Sequence, residues 1–153
     1  MDLPPRVIYL SRMPELLTVV LDTNVLEAAF RSRRGASFAV LSLVGTGCFE
    51  IAVSVPLVLE YEEVLLRNAD ERERPETSVR DLLDYLCSAG RRQPIYFRWP
   101  AMLPDPSDDM ILELAVAAGC DAIVTHNRRH YRGIHRFGIR VLNPAEFLDE
   151  IGE

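Results

Sequence analysis

Lysine is absent from the chain and cysteine is rare. All 17 basic residues are arginines, and the three cysteines, Cys48, Cys87 and Cys120, are widely separated. Three distant cysteines form neither a disulfide framework nor the paired spacing of a zinc site, so each is expected to be a small buried side chain. No apolar run approaches the roughly 20 residues that a membrane helix needs. Residues 1–12 lack the layout of a signal peptide, so we expect a cytoplasmic protein with no membrane segment.

Positive charge is in deficit over the chain as a whole. The 23 acidic residues outnumber the 17 basic ones and give a net charge of −6. This balance excludes nucleic-acid binding that depends on bulk positive charge. Arginines nevertheless cluster locally, at Arg33 and Arg34 and again at Arg128 and Arg129. The planar guanidinium group suits phosphate, so these four side chains are candidate phosphate contacts, with solvated surface arginine as the alternative.

The remaining composition is that of one soluble globular domain, with 153 residues, 48% hydrophobic and 26% charged. Short β-branched runs alternate with helical patterns, which predicts βαβ units and a parallel sheet. The strands are so apolar that we expect helices on both faces of the sheet, in an α/β fold. We predict strands at 18–21, 49–53, 122–125 and 139–142, a short edge strand at 95–97, and helices after Asp22, at 36–44, 54–67, 78–86 and 108–118, and after Asn143.

The predicted sheet directs attention to the carboxyl ends of its strands, where open parallel sheets form functional crevices. Asp22 ends the first strand, and Thr125 and Asn127 lie at and just beyond the end of a later one. Helix capping is the alternative role for Asp22, and turn formation is the alternative for the other two.

Two further acidic segments flank the same predicted edge. Glu60 lies in the helix after the second strand, but spacing alone does not distinguish it from Glu62 and Glu63. Glu63 also stands four residues before Arg67, a spacing typical of a helical ion pair.

Asp105, Asp108 and Asp109 open the helix that precedes the 122–125 strand. Asp105 followed by Pro106 has the pattern of an N-cap, yet three aspartates in five residues exceed what capping requires. Clustered carboxylates repel one another unless a cation offsets them. Oxygen ligands suit Mg²⁺ or Mn²⁺ better than zinc, so the pattern indicates a metal site.

The ordered motifs resemble those of the PIN-domain family, most closely the toxin components of toxin–antitoxin systems related to VapC. The similarity covers about residues 18 to 150, which we treat as a PIN-like domain over 18–153 preceded by an N-terminal extension over 1–17. It rests on the segments Leu21-Asp22-Thr23-Asn24-Val25, Ser54 to Tyr61, Asp105 to Asp109, Ile123 to Arg128 and Gly138 to Leu148.

The resemblance implies a three-layer α/β/α sandwich with a mainly parallel sheet of about five strands, and a metal-dependent ribonuclease site. Asp22, Glu60 and Asp108 match the first three family acids, with Asp109 as an adjacent alternative for the third. The fourth family position, often aspartate, is Asn127 here, which removes one negative charge. The residues implied as supporting are Thr23, Asn24, Asp105 and Thr125, and the candidate RNA contacts are Arg33, Arg34, Arg128 and Arg129.

The chain is therefore expected to be an Mg²⁺- or Mn²⁺-dependent endoribonuclease, with RNA as substrate, an antitoxin as possible partner and a homodimer as its assembly. The alternative is a catalytically impaired PIN domain that binds RNA or protein, because Asn127 replaces an acid. A receiver or phosphatase domain is disfavoured because both normally use an accessory lysine. Dinucleotide binding is disfavoured because no G-x-G-x-x-G follows any strand.

Overall fold

The computed structural model describes residues 16–70, 74–95 and 102–153. The predicted N-terminal extension lies almost wholly outside these residues, as do Tyr96 and Phe97 of the predicted edge strand, so the extension stays a prediction. The described strands are β1 (Thr18–Leu21), β2 (Glu50–Val53), β3 (Arg91–Arg92), β4 (Ala122–Val124) and β5 (Arg140–Leu142). The described helices are α1 (Thr23–Arg31), α2 (Ala36–Leu43), α3 (Val55–Arg67), α4 (Glu76–Ala89), α5 (Pro106–Ala117) and α6 (Pro144–Glu150), with 3₁₀ turns at Arg128–Tyr131 and Ile134–Phe137.

The five described strands form one sheet in the order β3-β2-β1-β4-β5, and every pairing is parallel. β1 is the central strand, pairing Val19 with Ile51 of β2 and Val20 with Ile123 of β4. All four of its residues are buried, as expected for a parallel sheet covered by helices on both faces. The predicted α/β/α sandwich is confirmed.

The described sheet ends in a short strand that the sequence did not predict. This strand, β3, lies at Arg91–Arg92, because the chain reaches β2 as soon as α4 ends at Gly90. Ile95 is not in a strand, and the rest of the predicted strand at 95–97 lies outside the described residues and stays a prediction. A Cβ on Gly90 would stand 2.7 Å from the Leu86 carbonyl oxygen and 3.2 Å from Ile51, an approach that only glycine allows. Val53 already accepts the last bond, from the Gln93 N–H at 2.9 Å.

Side chains that accept backbone N–H groups mark the starts of α3 and α6. Ser54 caps α3 by accepting the Leu57 N–H at 3.3 Å. Asn143 and Glu146 form a capping box at the start of α6, at 2.8 and 2.9 Å. The side chain of Phe147 in α6 then packs edge-on against Phe49, with ring centroids 4.9 Å apart, which attaches the last helix to the core.

The expected burial of the three cysteines is confirmed for Cys120 and is only partial for the other two. All three cysteines are free thiols, with Cys120 buried and Cys48 and Cys87 partly buried. Among the helices that the structure describes, none combines the length and apolarity needed to cross a membrane.

Candidate metal and active site

Asp22 leaves the carboxyl end of β1 and directs its side chain into the protein. Its backbone takes the N-cap position of α1, but its side chain makes no capping hydrogen bond. The carboxylate instead accepts hydrogen bonds at Oδ2 from the Thr125 hydroxyl at 2.8 Å and the Tyr131 hydroxyl at 2.9 Å. Asp22 is 7% exposed. Capping therefore does not explain why this carboxylate is buried.

A hydrogen-bond network joins the end of β1 to the end of β4. Thr125 is fully buried, and its hydroxyl oxygen accepts from the Asn24 amide at 3.1 Å and the Asn127 backbone N–H at 3.0 Å. The Asn24 side-chain oxygen in turn accepts the His126 backbone N–H at 3.1 Å. Thr125 and Asn24 thus hold the two strand ends together and orient Asp22.

The three aspartates at the start of α5 have different hydrogen-bond partners. Asp105 is the N-cap and accepts the Ser107 N–H at 2.9 Å. Asp109 accepts the backbone N–H groups of Met102 and Leu103 at 3.0 and 2.9 Å, so it anchors the segment that leads into the helix. Asp108 is 6% exposed and accepts the Tyr131 hydroxyl at 3.2 Å. Asp108 is therefore the member of the group that shares a contact with Asp22.

The three glutamates of α3, which spacing could not separate, also differ in their contacts. Glu60 is half-buried and accepts the Thr23 hydroxyl at 2.9 Å, beside Asp22. Glu63 forms the expected helical pair with Arg67 at 3.0 Å, and Glu62 lies 3.7 Å from Arg80. Glu60 is the glutamate that borders the aspartate pair.

Burial and mutual repulsion shift the ionisation of both aspartates. Burial raises the pKa of Asp22, the nearby charge of Glu60 raises it further, and hydrogen bonds from Thr125 and Tyr131 oppose the shift. The pKa of Asp108 rises to about 6, chiefly through burial and then through the negative charges of Asp22 and Asp105. Asp22 is therefore affected by the charge of Glu60, and Asp108 is affected by the charge of Asp22.

Tyr131 and His130 belong to this cluster although the sequence did not single them out as site residues. His130 Nδ1 lies 3.2 Å from Asp108 Oδ2, whereas His126 Nε2 lies 2.6 Å from the Ser37 hydroxyl on α2. The two histidines therefore have different partners. The feature of the sequence that could have indicated His130 and Tyr131 is their position shortly after Asn127. They lie in a segment that forms a 3₁₀ turn.

The fourth family position and the arginine clusters lie at the surface. The Asn127 side chain is exposed, and the residue joins the network through its backbone N–H. Arg128 Nη1 donates to both carboxylate oxygens of Glu146, at 3.0 Å each. Arg33, Arg34 and Arg129 are exposed. Of the four candidate RNA contacts, Arg128 is thus already paired with a carboxylate.

The donor set fits a hard divalent cation by its chemistry. Asp22, Glu60 and Asp108 offer carboxylate oxygens, and the described residues bring no arginine into ion-pair distance of any of the three. As the side chains stand, the described part of the chain contains no group of three His, Cys, Asp or Glu residues arranged to hold one ion. Hydroxyl groups from Thr23, Thr125 and Tyr131 occupy oxygens of these carboxylates instead.

Three solved structures share this fold at low sequence identity. VapBC2 from Rickettsia felis, bound to a DNA fragment from its promoter, gives a TM-score of 0.58 at 16% identity, covering 83% of this chain and 98% of the other. VapBC-1 from nontypeable Haemophilus influenzae gives 0.57 at 12%, covering 84% and 99%. DNA-bound VapBC from Salmonella typhimurium gives 0.56 at 17%, covering 84% and 99%.

The sequence itself gives the family. No curated protein sequence matches this chain significantly. The family profile described as "PIN domain" matches residues 18–129, which contain β1 to β4 and the whole carboxylate cluster. The match covers well over half of the chain, and the chain belongs to the PIN-domain family.

Proposed function

We propose that this protein is a metal-dependent endoribonuclease, with Asp22, Glu60 and Asp108 as the residues that would hold Mg²⁺ or Mn²⁺. The observation that carries the proposal is the pair of buried aspartates, Asp22 and Asp108, in contact with one hydroxyl at the carboxyl edge of a parallel sheet. Burying two carboxylates together is costly without a counter-charge, so this pair is better suited to cation binding than to stability. Asp109 and Asn127 would be lesser ligands.

The roles of the protein groups follow from their contacts. A bound divalent ion would lower the pKa of a water molecule and stabilise the charge on the scissile phosphate. Asp22, Asp108 and Glu60 would hold the ion through their carboxylate oxygens. Thr23 and Thr125 would orient Glu60 and Asp22 through their hydroxyl groups, and the Asn24 amide would orient Thr125. Asp105 fixes the start of α5, and Arg33, Arg34 and Arg129 would contact RNA phosphates.

Metal titration of purified protein tests the proposal. We expect cleavage of single-stranded RNA in Mg²⁺ or Mn²⁺, loss of cleavage in excess chelator, and recovery when the ion is restored. RNA binding without cleavage at any Mg²⁺ or Mn²⁺ concentration would instead support the second candidate, an impaired PIN domain that acts as a binding module. The exposed, uncharged Asn127 at the fourth position is the observation that favours that candidate.

Partner binding is proposed from the fold and from one surface. The three similar structures are all of VapBC proteins, so we propose an antitoxin as partner and the cytoplasm as the place of action. Val55 and Leu59 on α3 are 74% and 58% exposed and border an apolar pocket of about 300 Å³. Leu59 also lines a second pocket, which includes Glu60. An apolar antitoxin segment placed there would lie next to the site. A neighbouring gene for a small protein that co-purifies with this chain would support the pairing, and its absence would count against it.

We also propose a homodimer. Light scattering on the isolated protein should give twice the 17.3 kDa mass of one chain. A mass of one chain at micromolar concentration would contradict this assembly while leaving the nuclease proposal untouched.

A further inference from the structure

One buried hydroxyl group stands between the two aspartates of the candidate site. The Tyr131 Oη lies 2.9 Å from Asp22 Oδ2 and 3.2 Å from Asp108 Oδ1, and the residue is 2% exposed. Asp22 lies on the β1–α1 junction and Asp108 in the first turn of α5. A third segment of the chain, the 3₁₀ turn Arg128–Tyr131, therefore connects two aspartates that lie on different elements.

The chemistry of this contact differs from that of an ion pair. A phenol has one hydrogen to donate, so it donates to one carboxylate at a time and turns its oxygen toward the other. A phenol is uncharged at neutral pH, because its ordinary pKa is about 10. An arginine or lysine at the same place would neutralise the aspartates and compete with a cation. The hydroxyl links the two carboxylates but leaves their negative charge available.

The remaining contacts of the two aspartates restrict them further. Asp22 Oδ2 also accepts the Thr125 hydroxyl at 2.8 Å, and Asp108 Oδ2 faces His130 at 3.2 Å. Asn127, by contrast, sends an exposed side chain outward and contributes its backbone N–H. Tyr131 is therefore the residue of this segment that contacts both acids, four positions after the place where the family often has its fourth acid.

We propose that Tyr131 is a positioning residue whose hydroxyl holds the Asp22 and Asp108 carboxylates at the separation from which both can bind one divalent cation. The inference rests on the proposed function, since it assumes that the cluster binds metal. The hydroxyl acts on the cation through the two aspartates, as groups behind metal ligands commonly do. Its loss should leave the carboxylates present but free to move apart under their mutual repulsion.

Tyr131→Phe tests the inference because it removes the hydroxyl and keeps the buried ring. The probe is Mn²⁺ titrated calorimetrically into chelator-treated, desalted protein. We expect the Kd for Mn²⁺ to rise about 10-fold or more, in the range typical of lost contacts behind a metal ligand. Cleavage by Tyr131→Phe should recover toward the wild-type rate as Mn²⁺ is raised, because the ligands themselves remain.

Tyr85→Phe is the matched control, because it makes the same change at a hydroxyl that donates to the Val44 carbonyl, outside the site. It should leave the Kd for Mn²⁺ unchanged. An unchanged Kd in folded Tyr131→Phe, together with a lower free energy of unfolding, would overturn the inference and show a purely structural hydroxyl. That result would leave the proposed nuclease standing, whereas wild-type protein that binds no Mn²⁺ would contradict both.

Discussion

Asp22→Asn should reduce metal-dependent RNA cleavage more than 100-fold, because loss of an outer contact to a metal ligand alone typically costs about 10- to 100-fold. The substituted amide keeps an oxygen that can accept from Thr125 and Tyr131, so the local hydrogen bonds survive. What disappears is the negative charge at the centre of the cluster. Initial rates on a single-stranded RNA at saturating Mn²⁺ measure the effect.

The same substitution should stabilise the metal-free protein. Folding raises the pKa of Asp22, so the folded state disfavours the ionised carboxylate that is present at pH 7. Removing the charge removes that penalty, and urea unfolding in chelator should show an equal or higher free energy of unfolding. Asp22→Asn that cuts RNA at the wild-type rate would end the proposed mechanism. A variant that fails to fold would contradict the predicted gain in stability.

Asp121→Asn provides a control at the amino ends of the strands, opposite to the candidate site. Asp121 accepts the Thr18 backbone N–H at 2.9 Å, just before β4 begins, whereas Asp22 follows the other end of β1. The chemical change is identical, and the amide oxygen can still accept the Thr18 N–H. Cleavage should therefore remain near the wild-type rate, which would assign the loss in Asp22→Asn to the position of the charge.

Asp108→Asn should also reduce cleavage more than 100-fold, on the same reasoning about ligand loss, and it should change how stability depends on pH. Folding raises the pKa of Asp108 from 3.8 to about 6, because the carboxyl is buried and faces Asp22 and Asp105. A raised pKa in the folded state contributes stability that is complete below the unfolded value and is lost as pH rises through the folded one. Metal-free wild-type protein should lose stability relative to Asp108→Asn between about pH 4 and pH 7. Urea unfolding of both proteins across that range measures the difference.

Asp109→Asn is the matched control for this prediction. Its carboxylate accepts two backbone N–H groups, from Met102 and Leu103, and an amide oxygen can accept at the same place. Asp109→Asn should therefore keep most of the cleavage rate. If the two substitutions had equal effects, the assignment of Asp108 rather than its neighbour would be wrong.

The sequence was sufficient where local chemistry decides the structure. Caps at Ser54, Asp105 and Asn143 mark the starts of three helices, and each is confirmed by a side-chain hydrogen bond. The apolar strands indicated a parallel sheet covered by helices. Asp22 was a candidate site residue because it stands at the end of one of these strands. These features depend on residues a few positions apart, which a sequence shows directly.

The sequence was insufficient where contacts between distant segments decide the outcome. Glu60, Glu62 and Glu63 have similar helical surroundings, and only the Thr23 hydroxyl, 37 residues before Glu60, distinguishes the first of them. Tyr131 reaches Asp22 across 109 residues, a relation that no local pattern expresses. The strand at Arg91–Arg92 was missed for the same reason, since its pairing with Ala52 and Val53 of β2 depends on where α4 ends.

The position of β1 at the centre of the sheet has a consequence for synthesis on the ribosome. β1 is made first but pairs with β4, more than a hundred residues later, and Asp22 acquires its Thr125 and Tyr131 partners at that stage. Contacts this distant in sequence form late and slowly in folding. A nascent chain that stops short of the 3₁₀ turn has its first aspartate but no assembled cluster. If the protein is the nuclease proposed above, it cannot cut the messenger that encodes it until nearly the whole domain has left the exit tunnel.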